Sequence, residues 1–312
     1  MAILRLQPCF KDYIWGGRRL LEEYNKRSDK DIAAESWELS CYPGSASTIA
    51  EGPDKGKSLP DYIEENGSGI LGSRFAKYKD FPILIKFIDA ADDLSVQVHP
   101  GDEYALSHEG QHGKTELWYV LDAAEDSFLY YGFKHEISRD EFASRIADDS
   151  LPEVLHREKV KKGDVIFVPP GTLHRIGKGL LLVEIQQSSN VTYRIFDYGR
   201  LGKDGKRREL HVDKALDVTL RCPPPQKKDF SPHLGKCEYF TVDLADTSSS
   251  GKEFRGFAGN ESFLSIVVVE GNGYIEHNKE KLPLRKGDSL FLTAGSGEFL
   301  LSKGLTALLT TL

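Results

Sequence analysis

Residues 163–174 read GDVIFVPPGTLH, a strand-like core with a rigid ending. The β-branched and aromatic run over 165–168 is typical of a buried strand. Two prolines and a glycine then end the strand in a turn whose backbone has little freedom. Because such a turn aims the following side chain at little entropic cost, it can present His174 as a metal ligand. The stretch therefore predicts a buried β-strand that ends at a candidate metal ligand.

The same design occurs a second time in the chain. KKGDVIFVPPG at 161–171 aligns with RKGDSLFLTAG at 285–295, sharing Lys-Gly-Asp, the strand phenylalanine and the closing glycine. The second copy lacks the two prolines, and Glu298 stands where the first copy has His174. The repeat predicts two β units, of which only the first carries the histidine.

Short strand-like runs separated by Gly, Pro, Asp and Asn recur along the chain, and helix signals are few, which favours a mainly β fold. The clearest helix is predicted over 138–148, where Ser138 and Glu141 fit a capping box. Two further short helices are expected after 58–60 and over about 212–218. These helices read as additions to a β framework.

A proline-rich polar segment, PPPQKKDFSPHLG at 223–235, is the best candidate linker. We place the boundary near residue 225, with a catalytic metal-binding unit over 1–225 and a non-catalytic β unit over 226–312. The first 50 residues could supply strands to either unit.

Composition excludes several classes of function. The net charge of −7 and pI of about 5.8 argue against a nucleic-acid surface, which needs clustered Lys and Arg. No apolar run approaches the roughly 18–20 residues that span a bilayer. The first residues do not read as a secretory signal, so we expect a cytoplasmic protein. The four cysteines show no CxxC spacing, and we expect them to be reduced.

Other candidate metal ligands lie on two more predicted strands. In SVQVHP at 95–100, Gln97 and His99 are two residues apart and would face the same side of a strand. Glu116 opens the apolar strand ELWYV. Together with His174 these residues offer two imidazoles, one carboxylate and one amide oxygen. A single histidine or glutamine is weak evidence for a metal site, but the four positions together are stronger evidence.

The donor set alone leaves the metal open. Two histidines and a carboxylate also describe the facial triad of non-haem Fe(II) oxygenases. The amide oxygen would fill a position that oxygen chemistry needs free, so Zn²⁺ acting as a Lewis acid fits at least as well. The residues do not separate Zn²⁺ from Fe, Mn or Co.

GDVIFVPPGTLH resembles the second motif of the cupin superfamily. With SVQVHPGDEYA, GKTELWYVLDA and LLVEIQQSSNVTYRIFDYGR, the chain resembles type I mannose-6-phosphate isomerase (phosphomannose isomerase) in its short bacterial form. The similarity is close over about 81–200, includes YIWGG and AAESWELS near the N-terminus, and is weak from about 225 onward. Unlike many cupins, this chain has Gln97 in place of a first histidine, and Glu116 follows a long insertion.

The resemblance implies two cupin-type jelly-roll β-barrel units with a small helical insertion. It also implies an enzyme that interconverts D-mannose 6-phosphate and D-fructose 6-phosphate. One Zn²⁺ per chain would be held by Gln97, His99, Glu116 and His174. The expected partner is a small sugar phosphate, with no nucleic acid and no membrane, and the oligomeric state is left open.

Three further residues match the family's active site: Arg194, Lys114 and Glu184. Moving a carbonyl between C1 and C2 passes through an enediol whose oxygens carry negative charge, which the metal and Lys114 or Arg194 would stabilise. Glu184 is the first candidate for the base that shuttles the proton, and Lys114 is the alternative. Basic side chains would hold the phosphate, and Arg194 could serve there instead.

The residues by themselves are also compatible with two other functions. The His99, Glu116 and His174 set would also suit a non-haem iron cupin oxygenase. The second unit, without the histidine, motivates a non-catalytic sugar-binding cupin, which would bind its ligand without turnover.

Overall fold

A computed structural model describes residues 3–202, 204–224 and 226–312. Its strands are β1 (Ile3–Gln7), β2 (Cys9–Lys11), β3 (Glu35–Leu39), β4 (Thr48–Ile49), β5 (Ile83–Ala90), β6 (Val96–Val98), β7 (Glu116–Ala123), β8 (Phe128–Phe133), β9 (Leu155–Lys159), β10 (Val165–Val168), β11 (His174–Arg175), β12 (Leu180–Gln187), β13 (Tyr193–Phe196), β14 (Gly235–Lys236), β15 (Thr241–Asp246), β16 (Phe254–Ala258), β17 (Leu264–His277), β18 (Glu280–Arg285), β19 (Ser289–Leu292), β20 (Gly297–Leu301) and β21 (Leu305–Thr311). The α-helices are α1 (Arg19–Glu23), α2 (Leu59–Asn66), α3 (Asp102–Glu109), α4 (Arg139–Ala147) and α5 (Val212–Val218), and short 3-10 helices cover Ser68–Leu71, Ser73–Lys77 and Leu151–Val154. The mainly β prediction is confirmed.

The strands form three antiparallel sheets. A six-stranded sheet has the order β10-β7-β12-β5-β3-β2, and a five-stranded sheet has the order β13-β6-β11-β8-β9. The ten-stranded sheet has a main path of β14-β15-β21-β17-β19-β1-β4, with β16, β18 and β20 paired beside it. The six-stranded and five-stranded sheets carry all of the predicted site residues that lie in strands.

The six-stranded sheet is buried on both faces. In β5, Ile83, Ile85 and Phe87 join a core shared with Phe291 and other residues of the ten-stranded sheet. Lys86 alternates with them and therefore faces the other way, as the two-residue period of a strand requires. Because both faces are covered, the central strands read as nearly continuous apolar runs, and a charge within one lies in the interior.

The sequence repeat has a structural counterpart. Gly163 and Gly287 both have positive φ, 87° and 93°, which glycine adopts without steric cost. The Gly163 N–H donates to Val120 O at 2.8 Å, and the Gly287 N–H donates to Val268 O at 2.8 Å. Each turn leads into the equivalent strand, β10 or β19.

The N-terminal strand lies in the ten-stranded sheet, together with the strands from β14 onward. β1 pairs with β19, with Ile3 opposite Leu292. The sequence left open which unit the first residues join, and this pairing answers that question for β1. Residue 225, where we predicted the boundary, is outside the described residues, and the division into 1–225 and 226–312 stays a prediction.

The predicted helices are confirmed as α2, α4 and α5, and the Ser138 side chain accepts a hydrogen bond from the Glu141 N–H at the start of α4. Helix α3 was not predicted. It buries only Ala105 and has almost no apolar periodicity, so its sequence gives no helical signal. No helix in the described ranges is long and apolar enough to cross a membrane.

Candidate metal centre and substrate cleft

Three of the four predicted metal ligands meet between the six-stranded and five-stranded sheets. His99 follows β6, Glu116 opens β7 and His174 opens β11, and each is at most 1% exposed. His99 Nε2 lies 3.3 Å from Glu116 Oε1, and His174 Nε2 lies 3.6 Å from Glu116 Oε2. Their ligand atoms all lie within 4.8 Å of one another.

Both imidazoles have their Nδ1 atoms on backbone carbonyls, Val191 O at 2.8 Å and Thr172 O at 2.9 Å. Such bonds fix the ring orientation and direct Nε2 towards the position of a metal ion. His99 Nε2 also lies 3.3 Å from Lys114 Nζ. Burial, assisted by the nearby Lys114, lowers the pKa of His99 to about 4, and burial also lowers the pKa of His174. Both rings are therefore neutral near pH 7, as metal ligands must be.

The turn after β10 connects the two histidines. The Gly171 N–H donates to His99 O at 2.8 Å, and Gly171 has a φ of 80°. A Cβ at this position would lie 2.8 Å from Val218 O. The Pro-Pro-Gly turn is therefore anchored to the segment carrying His99 while it leads to His174, as the sequence argument required.

The donor set fits a divalent ion. Ligands placed about 2.0–2.1 Å from a tetrahedral Zn²⁺ are about 3.3 Å apart. The two His–Glu separations, 3.3 Å and 3.6 Å, are close to this value. Two buried atoms that face the centre, His174 Nε2 and Glu116 Oε2, make no hydrogen bond with any described residue. Although burial acts to raise the pKa of Glu116, the nearby Lys114 ammonium group holds it well below its usual range. The carboxylate is therefore ionised and suited to a cation.

The fourth predicted ligand, Gln97, lies opposite His174 in the β6–β11 pairing and lines the adjoining cleft. Cross-strand neighbours of this kind have Cβ atoms about 4.5–5.5 Å apart. Its assignment as a ligand stays a prediction.

A row of buried charges leads from the cluster into the cleft. Lys114 Nζ contacts Glu116 Oε1 and lies 3.5 Å from Glu184 Oε1. Lys86 Nζ lies 3.0 Å from Glu184 Oε1 and 3.5 Å from Glu35 Oε2. The row has three carboxylates and two ammonium groups, so its excess negative charge also favours a cation.

Lys86 and Glu184 occupy neighbouring strands of the six-stranded sheet. They are cross-strand partners in the β5–β12 pairing, and Trp118 lies opposite Glu184 on β7. The Trp118 Nε1–H donates to Glu184 Oε2 at 3.0 Å. Burial acts to lower the pKa of Lys86, but Glu184 and Glu35 raise it above its ordinary value. Lys86 therefore stays an ammonium group.

The cleft has a cavity volume of about 230 Å³ and opens to solvent. Lys114, Glu184 and Arg194 all line it, so the structure brings the three predicted catalytic residues together. Arg194 donates through Nη1 to Glu209 O at 3.0 Å, and its buried Nε has no hydrogen-bond partner among the described residues. Burial, followed by repulsion from Arg208, lowers the pKa of Arg194.

Sequence reasoning missed Arg208, Lys86 and Glu35, which also line the cleft. Arg208 is held by Asp197, with Nε 2.7 Å from Oδ2 and Nη2 on Oδ1. Lys86 had a usable signal, because it is a charge within the apolar run FPILIKFIDA. Arg208 lies in a polar, charged stretch and had none.

A second cleft of about 220 Å³ lies beside β10 and is lined largely by apolar side chains, including Phe167 and Phe230. It contains none of the metal-ligand candidates. The cleft beside the His–Glu–His cluster brings several charged side chains together, so it is the candidate site.

A mainly β fold with a repeated strand-and-turn unit and a buried His–Glu–His cluster is typical of the metal-binding cupins. Two family models match this chain: "Phosphomannose isomerase type I, catalytic domain" over residues 3–127, and "Mannose-6-phosphate isomerase, cupin domain" over residues 232–309. The chain belongs to the type I mannose-6-phosphate isomerase family, which confirms the resemblance read from the sequence.

Individual relatives agree over nearly the whole chain. Mannose-6-phosphate isomerase ManA of Bacillus subtilis is 36% identical over 310 residues, which cover 95% of this chain and 94% of that protein. The crystal structure of the mannose 6-phosphate isomerase from Bacillus subtilis superposes with a TM-score of 0.89 at 34% identity, covering 99% of both chains. A zinc-bound mannose 6-phosphate isomerase shares the fold with a TM-score of 0.78 at 19% identity.

Proposed function

We propose that this chain interconverts D-mannose 6-phosphate and D-fructose 6-phosphate by proton transfer through an enediol. The observation that carries the proposal is the row of buried charges from Glu35 to Glu116, which ends at the His–Glu–His cluster inside an open cleft. Family membership supports the same reaction. The comparisons favour neither the oxygenase nor the binding-only alternative.

We assign one Zn²⁺ per chain to Gln97, His99, Glu116 and His174. The three clustered donors and their neutral imidazoles support this assignment, as does the zinc-bound relative that shares the fold. When bound, the ion supplies a Lewis acid that polarises the sugar carbonyl and hydroxyl oxygens.

Glu184 is our candidate for the group that carries the proton between C1 and C2. Lys86 and Trp118 hold its two oxygens at 3.0 Å each, so the carboxylate is oriented before substrate arrives. Lys114, placed between Glu184 and Glu116, is suited to stabilise a developing oxyanion and is the alternative base.

Arg194 and Arg208 are our candidates for the phosphate end of the cleft. Guanidinium groups suit phosphate oxygens because they offer paired N–H donors. The unpartnered Nε of Arg194 and the fixing of Arg208 by Asp197 support this role. Arg194 would thereby bind the phosphate rather than the enediol.

A coupled assay that detects fructose 6-phosphate formed from mannose 6-phosphate tests the reaction. Glu184→Gln should lower kcat by about 10²–10⁴-fold, the usual contribution of a general base. Glu158→Gln, which alters a carboxylate lining the apolar cleft, is the matched control and should keep full activity. In D₂O, the wild-type reaction should incorporate deuterium at the carbon that is reprotonated.

Binding of sugar phosphate without any turnover would refute the proposal in favour of the binding-only cupin. Oxygen consumption that depends on substrate would favour the oxygenase. Full activity of Glu184→Gln would show that Glu184 is not the catalytic base.

A further inference from the structure

A tyrosine of the C-terminal unit reaches the segment that carries the active-site lysine. Tyr239 lies between β14 and β15, and its hydroxyl donates to Asp102 Oδ2 at 2.7 Å. Asp102 is the first residue of α3, in the stretch that connects His99 to Lys114. The hydrogen bond therefore joins two regions 137 positions apart in the sequence.

Asp102 also ties together the two ends of that stretch. Its Oδ1 accepts the Gly113 N–H at 2.7 Å and the Gln187 Nε2–H at 2.9 Å. Gln187, the last residue of β12, accepts the Thr115 N–H on its own Oε1 at 2.8 Å. The residues on both sides of Lys114 are therefore fixed by one connected set of hydrogen bonds.

The close backbone packing at Gly113 leaves this segment little room to move. A Cβ at Gly113 would lie 2.5 Å from the carbonyl carbon of Gly101 and 2.6 Å from the Asp102 nitrogen. The backbone before Lys114 thus rests directly on the start of α3. A shift of Asp102 would be passed to Lys114 through this contact.

The same C-terminal segment also covers the strand that begins at Glu116. A Cβ at Gly235 would lie 2.0 Å from Leu117 Cδ1, so β14 sits directly on the residue after Glu116. Leu117 is fully buried. This packing is independent of the Tyr239 hydrogen bond and places the C-terminal unit against the same part of the site.

The Asp102 carboxyl is ionised. Burial acts to raise its pKa, but the hydrogen bonds from Tyr239, Gly113 and Gln187 together lower it. An ionised carboxylate only accepts hydrogen bonds, so the Tyr239 hydroxyl is the donor. Hydrogen bonds to a charged acceptor are about twice as strong as neutral ones.

We propose that Tyr239 is a positioning residue for Lys114: the C-terminal unit supplies a hydroxyl that, through Asp102, holds residues 102–115 in the geometry the reaction needs. The catalytic part of this inference rests on the proposed isomerase function. It gives the C-terminal unit a part in the reaction although its described residues contain no metal-ligand cluster.

Tyr239→Phe and Tyr78→Phe form a matched pair of variants. The Tyr78 hydroxyl donates to Glu238 O at 2.9 Å, so its removal deletes the same chemical group beside Tyr239 without affecting Asp102. Tyr239→Phe should lower kcat about tenfold, the lower end of the range for losing a hydrogen bond to a charged group. Its KM should change less than about twofold, because the proposed phosphate ligands lie elsewhere. Tyr78→Phe should leave both constants unchanged.

Amide hydrogen exchange tests the positioning without any assay of activity. The Gly113 and Thr115 amides should exchange faster in Tyr239→Phe than in the wild type, and at the wild-type rate in Tyr78→Phe. In an Asp102→Ala background, adding Tyr239→Phe should change neither kcat nor exchange further, because the hydroxyl has lost its acceptor.

Wild-type kcat and wild-type exchange in Tyr239→Phe would overturn the inference. So would an equal loss of kcat from Tyr239→Phe with and without Asp102. A wild-type protein without isomerase activity would refute the proposed function alone, and the exchange rates would still decide whether Tyr239 fixes the segment.

Discussion

Replacing Lys86 with methionine removes an ammonium group from between two buried carboxylates. Lys86 Nζ lies 3.0 Å from Glu184 Oε1 and 3.5 Å from Glu35 Oε2, and the three side chains are 6%, 3% and 8% exposed. Methionine keeps an unbranched chain of similar length, so the change is mainly one of charge. Glu35 then has no ammonium group within ion-pair distance among the described residues. Glu184 keeps one ammonium contact, the longer one with Lys114, and its hydrogen bond from Trp118.

The size of the effect follows from the burial. Removing one partner of a buried ion pair costs about 3–5 kcal/mol, because the remaining charge is left uncompensated. At about 2.1 cal/mol/K per residue, the 312 residues unfold with an entropy of about 0.66 kcal/mol/K, so Tm should fall by about 5–8 °C. Lys161→Met is the matched control, because Lys161 is 86% exposed and 3.8 Å from Asp164. Its stability should change by less than about 0.5 kcal/mol.

The reasoning is tested by thermal and urea unfolding of five proteins: the wild type, Lys86→Met, Glu35→Gln, the double variant and the Lys161→Met control. The double variant should be more stable than the sum of the two single losses predicts, by about 1–3 kcal/mol, because the neutral glutamine no longer needs the ammonium group. Additive losses, or a Lys86→Met protein as stable as the Lys161→Met control, would refute the idea that Lys86 compensates the two carboxylates.

Three further predictions concern separate parts of the molecule. In the metal-free protein, His99 has a pKa of about 4 in the folded state and about 6.5 in the unfolded state. The unfolded state therefore binds a proton first as the pH falls, and stability should decrease between these two values. Between pH 7 and pH 4.5, this group should lower the free energy of unfolding, measured in urea, by about 2–3 kcal/mol. A His99→Gln variant with the same pH dependence as the wild type would contradict this prediction. Arg208→Leu should raise KM for mannose 6-phosphate about 10–100-fold with little change in kcat, and an unchanged KM in steady-state kinetics would exclude Arg208 from phosphate binding. Gly235→Ala should lower the stability in thermal unfolding by about 1–3 kcal/mol, because its Cβ would overlap Leu117. Gly69→Ala is the control and should be nearly neutral, because its Cβ would meet open space. Equal stability of the two variants would contradict the packing argument.

The parts of the site with a strong local signal could be predicted. The Pro-Pro-Gly turn indicated that His174 is a site residue, and the charge at the start of an apolar strand indicated the same for Glu116. Lys86 carries the same kind of signal as Glu116, a charge within an apolar run. Local pattern is sufficient in such cases because a charge on a strand that is buried on both faces must have a partner.

The remaining parts depend on contacts that no local pattern reveals. Glu35 reaches Lys86 only because β3 pairs with β5, and Tyr239 reaches Asp102 across 137 positions. Helix α3 has no apolar stripe because it buries a single side chain, so its sequence looks like a polar loop. The pairing of β1 with β19 is likewise a long-range contact, and a linker-based division of the chain could not predict it.

The most direct test of the central claim follows zinc content and turnover in the same sample. Protein stripped with a chelator should convert no mannose 6-phosphate, and activity should return in proportion to bound Zn²⁺ until one ion is bound per chain. His174→Ala should neither retain the ion nor recover. Full turnover by the metal-free protein, or by His174→Ala, would contradict the account.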